Sequence, residues 1–418
     1  MITFAMNVLF ANKFLYPRGG AEVSMFETAR LLEKKGHRVA YFSMDHPSNI
    51  ESEFSRFFVS NVDYAGKISF AGRLKAAGRL LYSFEAKRMV SKLLDEYPVD
   101  IVHLNNIAHQ LSPSIIDEFK RRGLPVVMSL RDYKLVCPSY AMLSNGRVCE
   151  DCKGGRFYRA AINRCHKGSF ANSLLVASEM TLHRLMRIYR EVDVFIATSR
   201  FLKSKLEEMG FVGDIAILPN IVDLDDYREP APFRDGPPAA IYFGRLSHEK
   251  GLITLCEAFK GIELELHIVG DGPQKNELLE KIKSEKISNI RIFSHLEKPA
   301  LIGKISEAMF AILPSEWYEA FGRTALEAFA AGRPVVGARI GGIPELVRDN
   351  ETGLLFEPGN AKDLREKILM LASDRALVER LGRNARALVE AEFNHEVHYK
   401  GLIAIYEDAI KKNKMKRA

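Results

Sequence analysis

Long apolar runs are missing from this chain. Nowhere do 18 consecutive apolar residues occur, so no membrane-spanning helix is expected. Cysteine is scarce, with five in 418 residues, which excludes a disulfide framework as the source of stability. Low-complexity tracts and short-period repeats are absent too, which argues against a solenoid. The opening residues Met1–Met6 carry neither the basic flank nor the small-residue cleavage site of a signal peptide. They read as the approach to a first strand, Asn7–Ala11, and a cytoplasmic location is expected.

The length suits two domains of ordinary size. Hydrophobic residues are 47% and charged residues 27% of the chain, as in water-soluble globular proteins. The formal net charge of +7 is unevenly spread. Residues 1–215 carry 31 Lys/Arg against 22 Asp/Glu, residues 216–397 carry 23 against 29, and residues 398–418 carry 6 against 2. A basic half joined to an acidic half points either to an anionic partner for one of them or to a merely solvated surface.

Short apolar runs alternate with longer amphipathic stretches. Val39–Ser43, Ile101–Leu104 and Pro125–Ser129 read as buried parallel strands, and Ala21–Lys35 as a helix stopped by Gly36. The rhythm repeats at Ala240–Phe243, Leu264–Val269, Ile290–Phe293, Ala311–Leu313 and Val335–Val336. Such alternation predicts α/β domains with doubly wound parallel sheets. The seam falls near Ile217–Asn220, before a Pro- and Asp-rich connection, 223–238.

The chemistry-bearing signals lie at strand-to-helix turns. In Glu316–Glu327 a strand runs through a glycine turn into a helix whose first N–H groups lack intrahelical partners, so Phe321, Gly322, Arg323 and Thr324 form a phosphate site. Glu327 lies one helical turn after Arg323, where its carboxylate can accept ribose hydroxyls, and Glu319 precedes the helix within reach of a sugar. Gly244-Arg245-Leu246 with Lys250-Gly251 supplies close backbone approach and two cations for a diphosphate. Gly270-Asp271-Gly272 and Gly341-Gly342-Ile343-Pro344-Glu345 are further turns of this kind. All would fall at the carboxyl ends of strands, where open parallel sheets bind ligands.

These motifs, with Pro17-Arg18-Gly19-Gly20-Ala21-Glu22 after the first strand, resemble the family-four retaining glycosyltransferases of the GT-B fold, in a bacterial polysaccharide-type subgroup with a cysteine-bearing insert. The resemblance covers nearly the whole chain, in the right order. It implies two Rossmann-like domains facing a cleft. Residues 1–217 plus 398–418 would bind acceptor, and residues 218–397 would bind a nucleotide sugar. It implies that Arg245 and Lys250 neutralise the departing diphosphate, that Glu327 holds the ribose, and that Glu319 and the backbone 321–324 hold sugar and phosphate. Gly19 and Gly20 would close over the diphosphate, and Gly244, Gly270 and Gly272 would line the donor pocket. The implied enzyme is a hexosyltransferase that uses a nucleoside-diphosphate sugar, UDP-linked by preference, with no catalytic metal. Its acceptor would be a glycan or lipid-linked glycan of an envelope polysaccharide. On the acceptor side His103 and His109 are candidates for touching sugar or for structural roles. Relatives often place histidine where Asn105 and Arg131 stand, so a catalytic base is not assigned there.

Cys137-x11-Cys149-x2-Cys152-x12-Cys165, in the insert 134–172, has the ligand number of a structural zinc; reduced thiols or two disulfides are the alternatives. Residues 67–96 mix Lys and Arg with Phe70, Leu74, Leu80, Leu81 and Phe84, which reads as a peripheral membrane surface or as a solvated helix face. Residues 173–191 read as a packed helix. Rival readings are a GT-B epimerase or phosphorylase, and a basic zinc-containing nucleic-acid-binding protein. The second is disfavoured because the phosphate turns belong to the acidic half and no aromatic-interleaved basic motif occurs, so no nucleic acid is expected as partner.

Overall fold

A computed structural model of the chain describes residues 5–61, 78–227 and 238–417. Its strands are β1 (Asn7–Ala11), β2 (Arg38–Phe42), β3 (Ile101–Leu104), β4 (Val126–Leu130), β5 (Leu143–Ser144), β6 (Arg147–Val148), β7 (Val194–Ala197) and β8 (Ile215–Ile217) in the first half. The second half holds β9 (Ala239–Phe243), β10 (Glu265–Val269), β11 (Ile290–Phe293), β12 (Phe310–Leu313), β13 (Val335–Ala338) and β14 (Gly353–Phe356). Two six-stranded sheets result, with orders β2-β1-β3-β4-β7-β8 and β11-β10-β9-β12-β13-β14. Every pairing within them is parallel. Helices cover both faces, which is why the central strands are apolar end to end: β3, β4, β7, β9 and β12 are buried at every position.

Each sheet reverses its strand order once, between β1 and β3 and between β9 and β12. A crevice opens at such a reversal, outside the carboxyl ends of the strands. The two reversal points hold the turns after β1, β3, β9 and β12. This is the GT-B arrangement of two Rossmann-like sheets.

The strands expected from apolar runs are present within one or two residues. Three others escaped the pattern. β7 is a four-residue run, β8 is a three-residue edge strand within the stretch that read as the seam, and β14 is likewise short. The insert 134–172 lacks periodicity because its pieces are tiny: the antiparallel hairpin β5–β6 and the helix Tyr158–Ile162.

The apolar interior divides into two cores. One contains residues from Val8 to Ile221 together with Tyr399–Ala409, the other residues from Val222 to Phe393. The long helix His395–Arg417 thus returns to the first sheet. Tyr406 Oη bonds His103 Nδ1 at 2.7 Å, Tyr399 Oη bonds His37 Nε2 at 2.9 Å, and Lys120 Nζ bonds Asn413 Oδ1 at 2.6 Å.

The basic stretch 67–96 is only partly within the described residues, since Lys67, Phe70, Arg73, Leu74 and Lys75 fall outside them. Of its described cations, Arg88 and Lys92 are exposed and Lys87 is half-buried. Arg79 and Leu80 are buried, and Arg79 lies 3.4 Å from Glu85. Of the named apolar residues there, Phe84 is exposed. The helix Phe84–Glu96, capped by Ser83, packs against the helix Ser114–Arg121.

Glycines fix how the second sheet's turns stack. Gly270 has φ 147°, and a Cβ there would stand 1.9 Å from Gly244 O. Gly270→Ala is therefore expected to destabilise the second half by about 2 kcal/mol or more. A melting temperature equal to that of the parent protein would contradict the tight stacking.

Candidate active site

The second half builds its side of the cleft from the turns after β9 and β12. β12 leads through Pro314–Gly322 into the helix Arg323–Ala330. Gly322, at φ 95°, is the residue before that helix, and no side chain caps it. The first N–H groups therefore remain directed into the cleft with the positive end of the helix dipole. Glu319 is buried in the turn. Its Oε1 accepts from Lys250 Nζ and, at 2.8 Å, from Ser315 Oγ. Burial pushes its pKa up, but the Lys250 charge and these hydrogen bonds outweigh burial and hold the carboxyl below its ordinary range. The Lys250 ammonium also lies 5.2 Å from the centre of the Trp317 ring.

The Gly341–Gly342 turn is the floor under Glu319. Gly342 N donates to Glu319 O at 2.8 Å, and a Cβ on Gly341 would lie 2.4 Å from Glu319 N. Gly270 and Gly272 do similar service for the neighbouring turn. Their missing side chains leave room for the backbone at Gly244 and Leu246. Arg245 is exposed and makes no ion pair among the described residues, while its carbonyl accepts from Tyr242 Oη at 2.8 Å.

The first half approaches this turn closely. Its helix Gly20–Lys34 begins at an uncapped Gly19, and a Cβ on Gly20 would lie 3.5 Å from Arg323 Cδ. The two helices thus meet start to start. Arg323 spans the gap with a bidentate fork: Nη1 and Nη2 donate to Glu27 Oε2 and Oε1 at 2.8 and 2.7 Å, and Nη1 reaches Ser24 Oγ at 3.1 Å. Arg323 Nε donates to Glu327 Oε1 at 2.8 Å. Burial opposes the charged form, but Glu327 and Glu27 outweigh it and raise the guanidinium's pKa. Further bonds cross between the halves. Ser199 Oγ donates to Ala320 O at 2.6 Å, and the Glu345 carboxylate accepts from Arg200 N and Phe201 N at 2.9 and 2.6 Å. Glu345 so caps a helix of the other half.

The other candidates in the first half are placed as follows. His103 is buried with both ring nitrogens engaged, Nδ1 with Tyr406 and Nε2 with Ser129 Oγ at 2.8 Å, and its ring stacks on Phe10. Burial lowers its pKa to about 3. Of the two roles raised for it, this neutral and fully bonded environment fits the structural one. His109, at φ 72°, stands 3.5 Å from Glu179, which also accepts from Lys134 at 2.7 Å. Burial lowers the His109 pKa in spite of that carboxylate.

Arg131 donates from Nη1 to Asn220 at the seam. Burial, then the Arg323 charge, lowers its pKa to about 10. Arg131 Nε and both polar atoms of the Asn105 side chain are buried with no hydrogen-bond partner among the described residues. Buried polar groups left unpaired each cost about 1–3 kcal/mol, and such groups gather at functional clefts. Burial raises the pKa of Asp132, against its hydrogen bond from Lys134 N and the charge of Lys13.

The cysteines require a correction. Cys137, Cys149, Cys152 and Cys165 are all unpaired, and among the described residues no group of three or more His, Cys, Asp or Glu side chains is arranged to hold a metal. The zinc expectation is not met. Burial, with the neighbouring thiols adding to it, pushes Cys152 up to about 12. The insert needs no metal in place of a core, because Cys137, Met142, Cys152, Phe157 and Ala160 join the first core.

Of the residues read from sequence, the fold brings Lys250 onto Glu319, Arg323 onto Glu327, and Gly20 against Arg323. The sequence reading missed Ser24, Glu27, Ser315, Asn220 and the capping role of Glu345. A signal for Glu27 exists: Glu22, Ser24, Glu27 and Thr28 are polar residues on the buried side of one helix, where apolar residues are the rule.

Comparisons with known proteins agree with this geometry. Residues 18–226 match the family model "Glycosyltransferase Family 4", and residues 223–388 match "Glycosyl transferases group 1". The chain belongs to the family-4 glycosyltransferases. An uncharacterized 42.6 kDa protein in the cps region of Klebsiella pneumoniae is 26% identical, over 82% of this chain and 88% of its own length. A capsular polysaccharide biosynthesis glycosyltransferase of Staphylococcus aureus is 28% identical, over 42% of this chain and 47% of its own length. The chain spans 52–60% of the length of other curated relatives that it matches. Sucrose-phosphate synthase from Thermosynechococcus elongatus superposes with a TM-score of 0.73 at 21% identity, over 96% of this chain and 98% of that one. An Anabaena protein solved in complex with UDP and glucose superposes with a TM-score of 0.63 at 18% identity, over 96% of this chain and 99% of that one. At these identities the solved structures show the shared fold.

The histidines supply a test of this packing. Burial holds His103 at about 3 and both His166 and His398 at about 4, all below the ordinary value of about 6.5. The unfolded chain binds these protons first as pH falls, so their contribution to stability is complete above about pH 6.5 and is lost progressively towards pH 4. The urea midpoint should drop between pH 7.5 and pH 5; a midpoint that holds steady or rises would contradict neutral burial.

Proposed function

We propose that this protein transfers a hexosyl group from a nucleoside-diphosphate sugar to a hydroxyl of a glycan or lipid-linked glycan, with retention at the anomeric carbon. The observation that carries the reading is the juxtaposition of Lys250–Glu319 and Arg323–Glu327 beside two uncapped helix starts. Leaving of the diphosphate builds negative charge, and cations with preorganised amides stabilise that charge in a site shielded from water. Lys250 and Arg245 are the cations, and the amides of 322–324 and of the Gly19–Gly20 turn are the donors. Glu319 orients Lys250 and takes a sugar hydroxyl. Glu327 takes the ribose diol. The bond from the anomeric carbon to the diphosphate oxygen breaks as the acceptor oxygen bonds to the same face of that carbon. The acceptor's proton goes to the departing phosphate. This route uses no resident metal.

UDP is favoured as the carrier because the Anabaena protein of the same fold was solved with UDP and glucose. A polysaccharide acceptor is supported by the Staphylococcus aureus relative named for capsular polysaccharide biosynthesis. A lipid-linked acceptor would bring the basic first half to the inner face of the cell membrane.

UDP, GDP and ADP should be compared by thermal shift, with UDP expected to raise the melting temperature most. Glu327→Ala should weaken UDP binding about tenfold or more, and Lys250→Ala should lower kcat about 100-fold or more. No stabilisation by any nucleoside diphosphate would overturn the reading. UDP release from a UDP-sugar only when acceptor is added supports transfer; interconversion of UDP-sugars without acceptor supports an epimerase instead.

A further inference from the structure

The stretch 173–191, which reads from sequence as a packed helix rather than a lipid contact, falls largely in the helix Phe170–Leu185. One face of it is packed: Ser173, Val176, Ala177, Glu179, Met180 and His183 are buried. The opposite face is open. Phe170, Ala171, Leu174, Ser178, Thr181 and Leu185 are exposed, and at 100° per residue they occupy an arc of about 100°. No charged side chain lies in that arc. Phe170 is 53%, Leu174 46% and Leu185 75% exposed. The stripe runs about 22 Å along the helix. The short helix Tyr158–Ile162 packs against this one and adds Tyr158 and Ile162, both more than half exposed. A helix of a water-soluble protein ordinarily carries charge on its outer face, and an exposed apolar patch of this kind marks an interaction surface.

The charge around the stripe says what covers it. Residues 152–190 contain eight Lys or Arg and a single acidic residue, Glu179. Glu179 is buried and bonded to Lys134. Arg164 and Lys167 are exposed just before the helix Phe170–Leu185 starts, and Arg184, Arg187 and Arg190 are exposed at its other end, where the Arg184 guanidinium lies 6.0 Å from the Phe157 ring and so near the exposed Arg159. An apolar strip between two clusters in which cations outnumber the flanking acids Asp151 and Glu191 matches a bilayer surface, where acyl chains lie beneath anionic headgroups. A second copy of the chain is a poor occupant, because two-fold pairing would set each cationic cluster against cations.

We propose that the face formed by the helices Tyr158–Ile162 and Phe170–Leu185 docks on an anionic phospholipid bilayer, with Phe170, Leu174 and Leu185 sunk to the level of the acyl chains and the flanking arginines on headgroup phosphates. This places the membrane contact in the cysteine-bearing insert region. It rests on the proposed transfer reaction only for the purpose of the contact, which is to bring a lipid-linked acceptor to the cleft.

The full chain should be sedimented with phosphatidylglycerol–phosphatidylcholine vesicles and with phosphatidylcholine vesicles alone, without donor or acceptor. Retention is expected on the anionic vesicles only, and should fall as salt is raised. The triple variant Phe170→Ser, Leu174→Ser, Leu185→Ser should lose about tenfold or more of this partitioning, and so should the double variant Arg164→Glu, Lys167→Glu. UDP affinity, read separately, should match the parent protein in both. If the triple variant melts early, the double variant, which changes only exposed side chains, carries the test. The proposal is overturned if the parent protein ignores anionic vesicles or if the charge variant is retained equally well. It is also overturned if the parent protein is a dimer that the triple variant converts to monomer with no vesicle retention in either. Failure to bind any of UDP, GDP and ADP with vesicle retention intact would sink the transfer reaction and leave the docking face standing.

Discussion

The guanidinium of Arg323 joins the two halves of this protein. Two helices, one from each half, point their starts at the same narrow space, and each start brings partial positive charge and unpaired N–H groups. Left alone, such ends repel. Arg323 stands on one of them and answers with two carboxylates, Glu27 across the gap and Glu327 on its own helix. The three side chains together carry one net negative charge, which offsets the two positive helix ends. The bidentate geometry also sets the separation between the halves, because a planar fork tolerates little shear. Ser199 on Ala320 and Glu345 on the start of the helix Arg200–Glu208 fix the same approach from the other side of the Glu319 turn.

The rest of the site follows from this register. Glu319 sits on the Gly341–Gly342 turn, and that same turn leads to Glu345, which grips the first half. The Glu319 turn and the interdomain contact are therefore held together through the Gly342 N to Glu319 O bond. The first half is stiffened behind its cleft by neutral, fully engaged groups such as His103, and by the returning helix His395–Arg417. At the cleft itself Asn105 and Arg131 keep polar atoms with no hydrogen-bond partner among the described residues. Satisfied polar groups behind and unsatisfied ones in front are what a preformed binding cleft requires.

Much of the donor side was legible in the sequence. Glu316–Glu327 and Gly244–Gly251 are local patterns, in which an apolar strand, a glycine turn and a helix follow one another within a dozen residues, and such a turn leaves unpaired N–H groups at the helix start wherever it folds. The strands were legible for the same reason: a strand buried on both faces is a continuous apolar run. The contacts that complete the site were not. Glu27 and Arg323 are 296 residues apart, and no spacing rule connects them. The four cysteines do come near one another, as free thiols, and their spacing alone does not say whether such a group holds a metal. The lipid-facing surface was sought at residues 67–96, where cations and apolar residues alternate. The proposed docking face lies instead at 158–190, where composition alone cannot say which side of an apolar helix is left exposed.

By itself the sequence determined two parallel-sheet halves, the glycine turns at their strand ends, and the chemistry of the donor turn, since each depends on neighbours in the chain. The tertiary structure decided which carboxylates meet which cations, which histidines are sealed as neutral packing groups, and which helix is left with an apolar face in water. Those outcomes depend on how two sheets and a returning helix divide the available surface, and burial of that kind is a property of the assembled cores rather than of any segment.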